Sequence, residues 1–152
     1  MIQRIQTVYL ALALIFLGLL SWLPMGEIAA NNEVYSFSIK GLINTANQSV
    51  VLNGLPLIIL LVIIEIIQVF IIFLYKNRIR QIRLATLNLL LMLGLFGVSM
   101  YFMHSSANEF AEPVKVYKVA MAFPLVAAIF NYLGIRAIGK DEALIRSIDR
   151  IR

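Results

Sequence analysis

Four polar side chains interrupt the apolar segments of this chain and are its strongest candidates for chemistry. Glu65 is the only charged residue between positions 55 and 74, and Gln68 follows three residues later, on the same face of a helix. Asn88 and Asn131 lie in the next two apolar segments. An ionised side chain at the centre of a membrane helix costs about 2.5–3.5 kcal/mol. A carboxyl group kept in such a segment therefore indicates a function or a specific contact.

We predict that Glu65, Gln68, Asn88 and Asn131 form one intramembrane polar cluster. At 1.5 Å per residue, Gln68 and Asn131 lie about 4–5 Å and Asn88 about 9 Å inward of the membrane midplane. Two interpretations stay open. Either the cluster is structural and Glu65 is neutral, or Glu65 serves a proton relay, an ion pathway or a partner contact. No lysine or arginine in the apolar runs neutralises Glu65, so its ionised form needs a cation, water or another subunit.

Small residues line one face of the fourth apolar segment at a spacing of about 3.5 residues. Small side chains let membrane helices approach closely, so we predict that this face packs against a neighbouring helix beside Asn131. The predicted packing face consists of Ala120, Pro124, Ala127 and Gly134.

Other candidate sites lack the residue types that their chemistry needs. His104 is the one histidine, and Glu109 and Glu112 follow it without the spacing of a metal site. The chain has no cysteine and no phosphate-binding, nucleophile-elbow or zinc-protease motif. We therefore expect no metal, no cofactor and no enzymatic activity.

The composition places the chain in a membrane. Of its 152 residues, 61% are apolar and 14% charged, against about 45–50% and 25% in soluble domains, and the mean hydropathy is +0.89. We predict a single integral membrane domain over 1–152, an all-α four-transmembrane-helix bundle with spans at about 5–23, 55–74, 84–103 and 119–138. The first span is expected to be retained, because its apolar core is longer than that of a signal peptide.

The basic residues predict the orientation of the spans. Ten of the 13 lysines and arginines fall at the N-terminus, between the second and third spans, and in the C-terminal tail. The two opposite loops carry the other three. The positive-inside rule therefore predicts that both termini and the basic loop between the second and third spans lie in the cytoplasm.

The outer loop at 27–54 shows a strand pattern. Tyr35, Phe37 and Ile39 alternate with polar residues, and a second short apolar run at 50–52 ends at Asn53 and Gly54. We predict a small two-stranded β element over the outer end of the bundle.

The C-terminal tail predicts a separate short helix over 141–152. Gly139 can end the fourth span, Asp141 suits an N-cap, and the apolar residues recur at i, i+4 and i+7. This amphipathic helix lies on the inner membrane surface or docks a cytoplasmic partner. Its predicted contact residues are Leu144, Arg146, Ile148, Arg150 and Ile151.

Three stretches of the chain also carry a family resemblance. These are the opening MIQRIQTVYL, the basic loop YKNRIRQIR and the closing KDEALIRSIDRIR. With four hydrophobic segments, they resemble a family of small four-span bacterial membrane proteins catalogued only as a domain of unknown function. The resemblance implies a cytoplasmic-membrane protein of a Gram-negative bacterium, and it brings no activity, ligand or functional residue with it.

Two functions are compatible with these patterns. The first is an accessory or scaffold subunit of a membrane complex, whose partner surfaces are the outer β element and the tail. The second is an oligomeric transporter of ions, protons or small molecules that uses Glu65. The expected partners are the lipid bilayer and either another protein or further copies of this chain, but not nucleic acid.

Overall fold

A computed structural model describes residues 3–30, 33–110 and 112–149 of the chain. In these ranges the chain forms four α-helices and, just before the last of them, a short 3-10 helix at Val119–Ala122. The helices are α1 (Gln3–Leu19), α2 (Leu55–Phe73), α3 (Arg78–Ala107) and α4 (Phe123–Asp149).

The four helices pack side by side and form what we call the helical body. Each helix packs against its neighbours in the chain, and α1 also packs along α4. The α1–α4 pair is antiparallel: Leu10 lies against Gly134, and the ring of Phe16, further along α1, stacks on Phe130 with centroids 5.6 Å apart. A Cβ at Gly134 would lie 3.0 Å from the Leu10 side chain, so the small residue permits this close approach.

A five-stranded antiparallel sheet lies at one end of the helical body. Its strands follow the order β4-β3-β2-β1-β5. They are β1 (Gly26–Ala30), β2 (Glu33–Ser38), β3 (Gly41–Asn44), β4 (Val50–Asn53) and β5 (Val114–Tyr117). Because β1 follows α1 and β5 follows α3, their pairing joins two loops that are far apart in the sequence. Glu27 of β1 also forms a 2.5 Å ion pair with Lys118, just after β5.

The inner face of the sheet packs on the helix ends. Ile28 and Phe37 are fully buried and belong to the same hydrophobic core as Met103 of α3 and Met121 of the 3-10 helix. Tyr35 lies opposite Ile28 across the β1–β2 pair and is also buried. The alternating side chains of the strands thus close one end of the helical body.

The carboxylate of Glu33 accepts hydrogen bonds from two polar side chains of the sheet. The Tyr35 hydroxyl donates to Glu33 Oε2 over 3.0 Å, and the Asn44 amide donates to the same oxygen over 2.6 Å. The hydrogen bond to the carboxylate, then burial, then the negative charge raise the pKa of Tyr35 above its usual value of 10.0. The tyrosine therefore stays a neutral donor at physiological pH.

The predicted all-α fold with a two-stranded β element is wrong, because the sheet has five strands. The alternation that predicted strands at 35–39 and 50–52 falls on β2 and β4. β1 was missed because GEIAA contains small residues and one β-branched residue, which give little strand propensity. β3 and β5, each only four residues long, were not predicted either.

The predicted number of four spans is also wrong. Among the described residues, three helices are long and apolar enough to cross a membrane: Leu55–Phe73, Arg78–Ala107 and Val119–Ala143. The apolar helix at Ile5–Leu19 is shorter. Turns follow Leu19, and Pro24 and the start of β1 at Gly26 prevent the helix from continuing to position 23.

The predicted separate tail helix is wrong as well. α4 runs without a break through Gly139 and Asp141 to Asp149, so Asp141 is an interior residue of α4 and not an N-cap. Leu144, Arg146 and Ile148 lie on this helix, whereas Arg150 and Ile151 lie outside the described residues.

Replacement of Gly41 by alanine should destabilise the sheet. Gly41 has φ +113°, and a Cβ there would collide with the backbone oxygen of Leu52 on β4. We expect the detergent-solubilised protein to lose about 1–3 kcal/mol of unfolding free energy, measured by denaturant titration. Gly97→Ala is the control, because no atom lies within 4 Å of its added Cβ. Equal stability of the two variants would contradict the assignment of strain to Gly41.

Candidate functional site

The predicted polar residues of α2 and α3 meet inside the helical body. Asn88 Nδ2 donates to Gln68 Oε1 over 2.8 Å and lies 3.3 Å from the carbonyl oxygen of Ile64. Gln68 Nε2 in turn donates to the carbonyl oxygen of Leu10 over 3.0 Å. Gln68 and Asn88 are fully buried, so one chain of hydrogen bonds ties α3 to α2 and α2 to α1.

Asn131 reaches α3 at a different point. Its Nδ2 donates to the carbonyl oxygen of Ala85 over 2.9 Å, one turn before Asn88. Asn131 is fully buried, and it adds α4 to the set of helices that are joined by amide side chains. The structure therefore places Gln68, Asn88 and Asn131 in one buried region.

The structure leaves Glu65 outside this region. Glu65 lies on the flank of α2, between the buried face and the exposed face, and is partly exposed. No hydrogen bond or ion pair joins it to a residue in the part of the chain that the structure describes.

The buried amides can accept more hydrogen bonds than the chain supplies. The acceptor oxygens Asn88 Oδ1, Asn131 Oδ1 and Ser99 Oγ are buried and have no partner among the described residues. The side-chain amides of Asn and Gln carry fixed donors and acceptors and do not ionise near neutral pH. The geometry is therefore that of a structural network with spare acceptors, and proton chemistry would need Glu65.

The predicted packing face of α4 is buried along its length. Ala127 is fully buried, Ala120 is 5% exposed, and Pro124 and Gly134 are also buried. Gly134 contacts Leu10, so this face lies against α1 at that point. The small residues and Asn131 thus share one contact surface.

Two further polar contacts between helices were not predicted from the sequence. Gln81 Nε2 donates to the carbonyl oxygen of Ile71 over 2.8 Å and joins α3 to α2. Gln6 Nε2 donates to the carboxylate of Asp141 and joins α1 to α4. Gln81 precedes Asn88 by seven residues, and this helical spacing was the available signal for its burial.

His104 lies at the sheet end of α3 and contacts a cation rather than the nearby acids. Its Nδ1 is 2.9 Å from Lys115 Nζ of β5, and the histidine is exposed. Among the described residues, no group of three His, Asp or Glu side chains could hold a metal ion. The contact links α3 to an edge strand of the sheet.

Comparison with known proteins gives a family but no activity. A family model described as Domain of unknown function (DUF4293) matches residues 2–151. The chain belongs to this family. The match confirms the part of the resemblance that assigned the chain to a domain of unknown function. No curated protein and no solved structure matches the chain.

Replacement of Asn88 by alanine should destabilise the helical body. The change removes the donor to Gln68 and leaves the buried Gln68 Oε1 without a partner. We expect a loss of about 1–2 kcal/mol in unfolding free energy, measured in mixed detergent micelles. Thr86→Ala is the control on the same helix, because the exposed Thr86 hydroxyl bonds only to the Ile82 carbonyl of its own helix.

A double-mutant cycle separates this contact from a general packing effect. Asn88→Ala and Gln68→Ala should show a coupling energy of about 0.6–1.7 kcal/mol. Additive effects of the two changes would show that the hydrogen bond between these side chains does not stabilise the protein.

Proposed function

We propose that the chain is an integral protein of the bacterial cytoplasmic membrane that works as a non-enzymatic accessory or scaffold subunit. Support for membrane insertion comes from the three long apolar helices, of which α2 has a mean hydropathy of 3.0. Their lipid-facing sides are apolar: Phe70 and Phe73 of α2 and Leu90 of α3 are all more than half exposed. Such surfaces suit a hydrocarbon environment.

The distribution of charge supports one orientation. The turn between α2 and α3 carries Lys76 and leads directly into Arg78, Arg80 and Arg83 at the end of the helical body opposite the sheet. The positive-inside rule assigns this basic end to the cytoplasm. The shorter α1 runs antiparallel to α4, so α1 begins and α4 ends at this same end, and both termini go with it. The sheet then lies on the outer side of the membrane.

The observation that carries the scaffold proposal is an exposed apolar surface on the sheet. Register places Val34 and Val114 on either side of Ala29, on the face that points away from the helical body. Val116 and Val50 lie on the same face. These four residues, which we call the outer valine face, are 45–62% exposed. Val34, Val114 and Val116 adjoin one another beside Ala29, whereas Val50 lies on the other edge strand, beyond Ser36 and Glu27. Exposed apolar residues that adjoin one another outside a membrane mark a contact with another molecule.

The sheet also has open edges beside this surface. β4 and β5 are the edge strands, and each pairs on one side. Unpaired backbone groups of an edge strand can bind a strand of another protein. A partner that presents an apolar strand matches both features of this surface.

Charged substitutions in the outer valine face should release the partner. We expect affinity purification from native membranes in mild detergent to recover a stoichiometric partner with the intact protein, and to lose it with Val114→Lys/Val116→Lys. Val119→Lys is the matched control, because Val119 is 81% exposed and lies after β5, outside the sheet. Retention of the same partner by all three proteins would contradict a docking role for the sheet.

Truncation of the tail gives an independent comparison for the same purification. The truncation should follow Ala143, because removal of the chain from Gly139 onward would also delete Asp141 and its hydrogen bond to Gln6. Loss of the partner with this truncation but not with the valine variants would place the docking surface on the cytoplasmic side.

A second candidate function is an oligomer that uses Glu65 to conduct ions or protons or to transport small molecules. The partly exposed position of Glu65 on α2 and its lack of a partner within the described chain favour a contact with a neighbouring copy. Glu65 lies one residue from the centre of α2, where an unpaired charge is most costly. A shared pathway between copies would supply water or a cation.

Replacement of Glu65 by glutamine tests this candidate. The helical body should keep its stability, because Glu65 takes no part in the buried hydrogen bonds. If the candidate is correct, cross-linking in membranes should show a homo-oligomer for the intact protein and a clear reduction for Glu65→Gln. An unchanged oligomer, or a monomer for both proteins, would exclude this use of Glu65.

A further inference from the structure

A groove opens between α1 and α2 at the basic end of the helical body. It has a cavity volume of about 640 Å³, within the range of about 300–1,000 Å³ typical of small-ligand sites. Its walls come from α1, from the end of α2 and from the start of α3. The groove is thus built by three helices and lies away from the outer valine face.

One part of the groove is apolar. Val8 and Ala11 of α1 face Ile72 and Phe73 of α2 across it. Phe73 is 72% exposed, so this part of the groove opens toward the surroundings of the helices. In a membrane those surroundings are hydrocarbon, and an acyl chain fits between the two helices without any polar group to satisfy.

The other part of the groove holds polar donors, of which one is unused. Gln81 Nε2 already donates to the carbonyl oxygen of Ile71, and Gln6 Nε2 donates to Asp141. Arg78 Nη1 is buried and has no hydrogen-bond partner in the described ranges of the chain. A buried guanidinium nitrogen without an acceptor is costly, and a bound anion removes that cost.

The surrounding charge favours an anion at this point. Arg78 also lines an adjoining pocket formed by the α2–α3 turn, together with Lys76, Arg80 and Arg83. Glu142 is the acidic residue of that pocket, and it has an interaction of its own. Arginine binds phosphate groups well because its planar donors match the phosphate oxygens.

We propose that this groove binds one anionic phospholipid, with the phosphate on the guanidinium group of Arg78 and an acyl chain along Val8, Ala11, Ile72 and Phe73. The proposal rests on the membrane insertion inferred above. The arrangement of residues along the groove supports this lipid. Arg78 lies at the basic end, at the level of the headgroups, and the apolar walls extend from there toward the membrane interior.

Lipid binding to the delipidated protein in neutral detergent tests the proposal. Native mass spectrometry should show one bound phosphatidylglycerol, with about fivefold higher affinity than phosphatidylcholine of the same chain length. Both lipids carry a phosphate, but the choline ammonium offsets its charge in phosphatidylcholine, whereas phosphatidylglycerol keeps a net negative charge that attracts the arginine. Arg78→Gln should abolish this preference. Arg80→Gln is the matched control in the same turn and should keep it, because the side chain of Arg80 is exposed and does not line the groove.

The acyl-chain part of the site needs its own variants. Ala11→Phe fills the groove and should remove phosphatidylglycerol binding while Arg78 stays in place. Ala122→Phe, at an exposed position outside the groove, should have no effect. Circular dichroism and gel filtration of each variant show that a lost lipid is not the result of misfolding.

Three outcomes would overturn the proposal. The first is equal affinity for the two lipids, and the second is the same loss of preference in the Arg78 and Arg80 variants. The third is complete displacement of the lipid by millimolar inorganic phosphate, which would show that the site takes a free anion without an acyl chain. Extraction of the intact protein from native membranes by alkaline carbonate tests the proposed insertion separately, so failure of the lipid site and failure of insertion are distinguishable.

Discussion

The pairing of β1 with β5 is the constraint on which the rest of the structure depends. β1 follows α1 directly, and β5 lies between α3 and α4, so their hydrogen bonds fix how all these helices end. Backbone N–H and C=O groups at the end of an apolar helical body need hydrogen-bond partners. The strands in the loops after α1 and after α3 supply these partners by pairing with one another. The ion pair between Glu27 and Lys118 closes the same junction. The position of the helices at this end follows from the sheet.

Away from the sheet, hydrogen bonds from amide side chains fix the position of each helix along its neighbours. Packing of apolar helices in a lipid environment lacks the hydrophobic drive that operates in water, so hydrogen bonds between helices fix which residues meet. Gln68 and Asn88 join three helices, and Asn131 and Gln6 join α4 to its two neighbours. Most of the acceptors are backbone carbonyls. An amide that donates to a backbone carbonyl specifies a position along the neighbouring helix rather than a particular side chain, as Gln68 and Asn131 do.

The sequence predicted the elements of the fold that have a clear apolar pattern. α2, α3 and α4 were evident from long apolar runs, and the burial of Gln68, Asn88 and Asn131 followed from the cost of an amide in lipid. The strands β1 and β5 were not predictable, because short strands of small or mixed residues form only when a distant partner is present. The unbroken α4 was missed because Gly139 weakens a helix without ending it. Glu65 was expected in one cluster with Gln68, but residues three apart on a helix need not face the same neighbour.

The shortness of α1 has a consequence for the bilayer itself. Its apolar part at Ile5–Leu19 is about 22 Å long, whereas the hydrocarbon core of a membrane is about 30 Å thick. In the proposed membrane-inserted state, the bilayer would become thinner, or its acyl chains would bend, on the side where α1 faces lipid. Trp22, which is 87% exposed just beyond α1, lies where an interfacial anchor would hold that thinner edge. The protein would then deform its surroundings unevenly and collect near lipids or partners that prefer a thin membrane.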